Sequence, residues 1–497
     1  MSVTNNTGTF YTTTTVDDGF IDNTMELYST VFAEVQTVAS VRSTHAGAIL
    51  NTRIPGGTGV FLQSVDVNNP TSGPTSSANN TDFFRGLTVL QFVQHMNGFF
   101  KAAPYNATLP AATIVINNAI GDAANMGTSQ MNLGNAAWHD VDVIMHEYGH
   151  HVQEFNNLRV GTLGLEHSFG QDNIGPLALG ARNYGADEGS RLAWQEAGAT
   201  VLGMMAIHVG DLNSAIPNLP AKDYDLWYDD YSHTGTVSSI TESQLNFAIN
   251  VETRGFKYTP TTGPDAGVLQ TVDYAGLGEG DEMSVFRTIW DFRDTHGEAY
   301  ARGLDYSSFG APKVYEKMNG VGTMYAYWQT MNATARADKS NVGNPSTDAE
   351  TVGRMGYTLE EYGIASVPVT TGVVPLLPTL TWNEQNADNS TQWRVLIYSS
   401  DFSTLVVDSG QLGAGSVGDL AGTVDAGLTW TSTTALMPGA MYNWFILNDP
   451  TLSTGGELAN MYNWYWSGWQ SIQAIPEPGT VGLLGLGLLG LRRRARN

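Results

Sequence analysis

Apolar residues recur at three- and four-residue steps through residues 82–103, at Phe83, Leu87, Leu90, Val93, Met96 and Phe100, and this spacing predicts a buried amphipathic helix. The β-branched run at 111–117 (AATIVIN) predicts a strand after it. Residues 65–82 are Asn, Ser, Pro and Gly with few apolar positions, and a loop is expected there. Helical patterns return at 140–155, 188–208 and 282–293. Near residue 365 the pattern changes to short alternating segments: 394–398 (RVLIY), 404–408 (TLVVD) and 441–447 (MYNWFIL), separated by turn-rich stretches, as in an all-β sandwich. The expected fold class is α+β, with an N-terminal segment 1–81 that gives no clear pattern, a mixed domain 82–364, a β-sandwich 365–472 and a tail 475–497.

With 497 residues, 42% of them hydrophobic, the chain can bury a sizeable core in more than one domain. It has no cysteine, which excludes disulfide frameworks, thiolate metal sites and thiol catalysis, so a metal must sit on His, Asp or Glu. Lys plus Arg number 23 against 48 Asp plus Glu, a formal charge of -25, and such a surface repels phosphate backbones; no nucleic-acid partner is expected. Charged residues are only 14%, and Asn, Thr, Ser and Gly fill many polar positions, a composition common in exported proteins. Residues 1–15 are polar and Thr-rich, without the basic start and apolar stretch of a secretory leader. Either the protein stays inside the cell or its leader is missing from this sequence.

The segment His146-Glu147-Tyr148-Gly149-His150 is an HExxH motif, preceded by the apolar Val141, Val143, Ile144 and Met145. Residues four apart share one helix face, so both imidazoles can reach a single Zn²⁺, with Glu147 beside it. Zinc lowers the pKa of a bound water, and a carboxylate within reach takes the proton as the water attacks a peptide carbonyl. His151 points about 100° away on a helix and is expected in a supporting or surface position. A catalytic zinc needs a third protein ligand, and a carboxylate on a later helix is the common solution. Glu196 in AWQEAGAT, 46 residues after His150 (196 minus 150), fits best; Glu188 in DEGS, at the start of the same helix, is the alternative, its other role being favourable charge at a helix N-terminus.

With these residues the chain resembles the gluzincins, the thermolysin-like and fungalysin-like zinc metallopeptidases, over about residues 82–294, including HEYGHH and the SVFRTIWDFRD segment. The resemblance implies a thermolysin-like zinc peptidase domain, with His146, His150 and Glu196 as metal ligands, Glu147 as general base, and a peptide or protein substrate. It also implies a substrate-binding edge strand near residues 125–133. Two places depart from the family: Thr200 stands where an Asp often orients the first His, and no His precedes SVFRTIWD to stabilise an oxyanion. Tyr184, Tyr228, Tyr231 and His233 are the candidate substitutes. The acidic segment 224–231 (YDLWYDDY), expected as a loop, is a candidate Ca²⁺ site, with a solvated acidic surface as the plainer alternative and no EF-hand spacing.

Trp382, RVLIY and LMPGAMYNW in order resemble the fibronectin type III family over roughly 100 residues, which implies a spacer or stabilising sandwich. At the end of the chain Pro476-Glu477-Pro478, the apolar run 481–491 and the RRRAR cluster resemble a PEP-CTERM sorting signal. That likeness implies export to the surface or extracellular matrix of a Gram-negative bacterium, processing by an exosortase-type enzyme, and only transient membrane contact through the tail. The apolar run is short against the roughly 20 residues of a spanning helix. The functional expectation is an exported zinc-dependent endopeptidase, and the alternative is a catalytically weak zinc-containing surface or matrix adhesion protein.

Overall fold

A computed structural model describes residues 2–5, 8–12, 38–45 and 48–55 and, with interruptions, residues 89–476. The α-helices whose two ends are both described are α1 (Val141–Phe155), α2 (Ala186–Met204), α3 (Glu282–Asp291), α4 (Ala311–Met318), α5 (Met324–Ala337) and α6 (Asp348–Glu361). With the strands they make a mixed α+β protein. The chain forms two units, one of Met1–Glu166, Arg191–Tyr274 and Gly310–Gly322, the other of His167–Ser190, Ala275–Phe309 and Thr323–Asn497.

In the first unit β1 (Ser2–Asn5), β2 (Gly8–Thr12), β3 (Val38–His45), β4 (Ala48–Pro55), β5 (Thr113–Asn117), β6 (Ala124–Met126) and β7 (Gln130–Gly134) form a sheet in the order β2-β1-β3-β4-β5-β7-β6. The N-terminal segment, without a pattern in the sequence, thus supplies four strands. Their Thr, Ser and Asn content hides the period-two signal that an apolar strand would carry. β5 runs parallel to β4 and β7, and parallel neighbours need a crossover connection. Residues 89, 92, 93 and 95–101 in that crossover are helical, and Val93, Met96 and Phe100 on the expected face are buried. Phe83, Leu87, Leu90 and the expected loop 65–82 lie outside the described residues.

A second sheet of this unit is the meander β8 (Trp227–Tyr231), β9 (Leu245–Asn250), β10 (Gly255–Tyr258) and β11 (Gln270–Asp273), all antiparallel. The acidic segment expected as a loop is therefore a strand over its last five residues. Register with β9 overrides the low strand propensity of its two aspartates. Helix α1 begins at Asp140, whose side chain accepts from Val143 N at 3.1 Å, and packs against β6, β7 and β8. Burial on nearly every side makes it a core helix rather than a surface one.

The second unit buries an apolar core between two sheets. One is β12 (Val367–Pro368), β14 (Thr379–Asn383), β19 (Leu428–Thr431) and β18 (Gly418–Asp419). The other contains β13 (Gly372–Pro375), β22 (Gln470–Ile475), β20 (Met441–Asn448), β15 (Gln392–Ser399) and β16 (Leu405–Asp408), with β17 (Leu412–Gly413) paired to β15 and β21 (Tyr465–Trp466) to β20. Leu380 and Trp382 of the first meet Val395, Ile397, Trp444, Ile446 and Ile472 of the second. Seven of the eight residues of β20 are buried, so it does not alternate. Helix α6 accounts for this: a Cβ on Gly353 would lie 2.4 Å from the Phe445 ring and one on Gly356 2.3 Å from the Ser467 backbone, so the helix lies directly on the sheet. The sequence reading assigns no helix between residues 311 and 361. Its local signals are a proline at the start of α4 and Thr347, which accepts from Glu350 N at 3.2 Å while Glu350 accepts from Ser346 N at 2.8 Å.

Candidate metal centre

Helix α1 carries His146 and His150 one turn apart, and their rings meet edge to face with centroids 4.8 Å apart. Helix α2 brings Glu196 to the same place. Its Oε2 lies 3.3 Å from His146 Nε2 and 3.0 Å from His150 Nε2, and all three side chains are buried. Small residues permit this approach. A Cβ on Gly149 would sit 2.4 Å from the Ala199 carbonyl oxygen and one on Gly203 3.1 Å from Met145 C, so the two helices touch backbone to backbone. The glycine inside HEYGH therefore serves the crossing that delivers the carboxylate. Glu188 is exposed in the first turn of α2, where its charge suits the positive end of the helix.

The protons in this cluster are fixed by neutral partners. The Gln153 amide donates from Nε2 to the Gln195 carbonyl at 3.0 Å, which leaves its Oε1 facing His150 Nδ1 at 3.2 Å. An oxygen there requires the N–H on Nδ1. Thr200 Oγ1 donates to the Glu196 carbonyl at 3.2 Å and so accepts from His146 Nδ1 at 2.8 Å. In the neutral ring both Nε2 atoms then carry lone pairs aimed at a carboxylate oxygen, and electron-rich atoms converging in a buried space need a positive charge between them. A shared proton supplies one: burial pulls His150 down, but the Glu196 carboxylate, aided by Glu147 and opposed by Arg159, outweighs it and raises the group above its ordinary value. A divalent cation supplies the other. Tetrahedral bonds of about 2.0–2.1 Å place neighbouring ligand atoms about 3.3 Å apart. The observed separations match, so His146, His150 and Glu196 can hold a metal ion.

Glu147 is buried next to the cluster and acts electrostatically on His150. Of the two positions expected for His151, supporting or surface, burial excludes the surface: its ring lies against Tyr148 and Phe155, and Nε2 is 3.2 Å from the Pro110 carbonyl. The reason is that α1 is enclosed on the side where a solvent face was expected. Sequence reasoning missed Gln153 and Gln195, since a glutamine three residues after a histidine has no distinguishing pattern. Tyr184 belongs to the second unit, where its N–H donates to the Asn173 carbonyl at 2.9 Å. The side chains of Tyr228 and Tyr231, and all of His233, lie outside the described residues.

Residues 474–496 match the PEP-CTERM protein-sorting motif. This marks the chain as one exported in a Gram-negative bacterium, sorted to the surface or exterior and processed by an exosortase at its C-terminal tail. Comparison with curated proteins finds no match. Among the described residues no helix is long and apolar enough to cross a membrane.

Proposed function

We propose that the protein is an exported zinc-dependent endopeptidase of the gluzincin type, with a thermolysin-like catalytic domain and a fibronectin type III-like sandwich. The observation that carries this reading is that His146 Nε2 and His150 Nε2 both lie within 3.3 Å of Glu196 Oε2, with Glu147 on the helix that carries the two histidines. Two histidines and one carboxylate are three ligands of a four-coordinate ion, which leaves a position for water; a structural zinc site is closed and needs no neighbouring base. Zn²⁺, when bound, supplies a Lewis acid that acidifies water and polarises a peptide carbonyl.

The chain's own groups would do the rest. Glu147 takes a proton from the attacking water as its oxygen bonds to the carbonyl carbon, and returns it to the amine nitrogen as the C–N bond breaks. Among the described residues strand β6 is the outermost strand of its sheet and packs beside α1, and an outermost strand suits pairing with an extended peptide. Gln153 and Thr200 hold the imidazoles in the tautomer that presents Nε2.

The second reading is a catalytically weak zinc-containing surface or matrix protein. It is favoured by the hydroxyl of Thr200, a poorer acceptor for His146 than a carboxylate. Zinc content and casein hydrolysis, measured on wild type and Glu147→Gln without the tail, separate the two. A peptidase binds about one zinc per chain in both forms and loses about 10²–10⁴-fold of its rate in the variant. Zinc binding by wild type without cleavage across a broad peptide library would favour the second reading.

A further inference from the structure

The two glutamines that flank the cluster form a continuous amide chain. Gln195 Nε2 donates to Glu196 Oε1 at 2.8 Å, and the Gln195 side-chain oxygen accepts from Leu163 N at 3.0 Å. The Gln195 backbone carbonyl accepts from Gln153 Nε2, whose Oε1 faces His150 Nδ1. Both glutamines are buried. Space for this chain is built into α2, because a Cβ on Gly198 would fall 2.4 Å from Gln153 Nε2.

We infer that Gln153 and Gln195 are positioning residues that present His150 and Glu196 to a metal ion, the first by fixing the imidazole proton and the second by turning one carboxylate oxygen toward the rings. The metal part rests on the function proposed above. The physical cause is the direction of each hydrogen bond. A carbonyl can only accept, so the Gln195 backbone orients the Gln153 amide, and the amide oxygen then forces the N–H of His150 onto Nδ1. Gln195 uses one oxygen of Glu196 and leaves Oε2 for the imidazole nitrogens. Every link is uncharged except Glu196 itself. The site therefore keeps its ligand geometry without adding a second carboxylate, and its hold on the ion depends on orientation more than on accumulated negative charge.

The test is made on the full chain. Long-range ¹H–¹⁵N correlation at about pH 9, well above the ordinary imidazole value, reads the His150 tautomer in metal-free protein, and competition with a chromophoric chelator reads zinc affinity. The expected results are an Nδ1–H tautomer in wild type, mixed tautomers with affinity lowered about 10–100-fold in Gln153→Met, and return of the Nδ1–H tautomer in Gln153→Glu, which keeps the acceptor. A wild-type His150 without a proton on Nδ1 overturns the inference even if no variant folds. So does a Gln153→Met protein with unchanged tautomer and zinc affinity. An Nδ1–H tautomer that depends on Gln153 in a protein that binds no zinc upholds the orienting role and overturns the metal reading alone.

Discussion

The crossing of helices α1 and α2 in the first unit and the sandwich of the second are both buried, yet they are packed by opposite means. Between the helices the contact residues are Gly149, Ala199 and Gly203, and the space that small side chains release is occupied by imidazoles, a carboxylate and amides. In the sandwich the contact residues are Trp382, Trp393, Trp444 and aliphatics, and the polar atoms of the core cluster are indole N–H groups and the Tyr442 hydroxyl rather than charged or titrating ligands. A buried polar group is costly unless its partners are complete, so a cluster whose lone pairs converge needs a proton or a cation between them, and the apolar core needs neither.

Three variants break or sharpen that contrast. The largest effect is expected from Trp382→Ala, which opens a cavity in the sandwich and costs about 3–5 kcal/mol. Denaturant unfolding measures it, and zinc bound per folded chain should not change. Loss of zinc from folded protein would break the contrast by tying the apolar core to the metal site.

Gly149→Val is next, at about 1–3 kcal/mol. The obstacle is the Ala199 backbone, which cannot rotate away. Stability and zinc affinity should fall together, because separating the helices carries Glu196 away from the imidazoles; a destabilised variant with full zinc affinity would refute the close crossing as the device that delivers the ligand.

The smallest effect belongs to a buried carboxyl of the second unit. Burial, then the charges of Asp305 and Asp294, push Asp291 well above the ordinary carboxylate range, while hydrogen bonds from Tyr362 at 2.6 Å and Tyr300 at 2.7 Å partly offset them. A raised folded-state value means that the folded protein holds a proton which the unfolded chain has released. Stability is thus fully present below the ordinary carboxylate value and is lost as pH rises from there through the raised value, by up to about 1.4 kcal/mol per pH unit. Asp291→Asn keeps the acceptor and should cost under about 1 kcal/mol at low pH while flattening this loss. Thermal unfolding between about pH 5 and pH 8 measures it, and parallel curves for the two proteins would exclude the buried proton.

Elements whose signals are local can be read from the chain before it folds. The apolar residues before His146 and the four-residue spacing to His150 define α1 and place both imidazoles on one face, because helix geometry is set within a turn. The tail is read in the same way, from PEP, apolar run and arginines in order. Strands β15, β16 and β20 announce themselves by β-branched and aromatic content. Glu196 was legible only as a choice against Glu188; the structure brings Glu196 to the imidazoles and leaves Glu188 exposed.

Tertiary structure alone decided the rest, since each remaining feature depends on groups far apart in the chain. Burial of His151 requires a neighbour 41 residues away, and the Gln153 amide is oriented by a carbonyl 42 residues away. The two-sided burial of β20 requires α6, and β4 is joined to β5 by pairing residues 51–53 with 113–115. A histidine pair is written into one turn of helix, whereas the acceptor that chooses which nitrogen keeps its proton exists only after two helices have met.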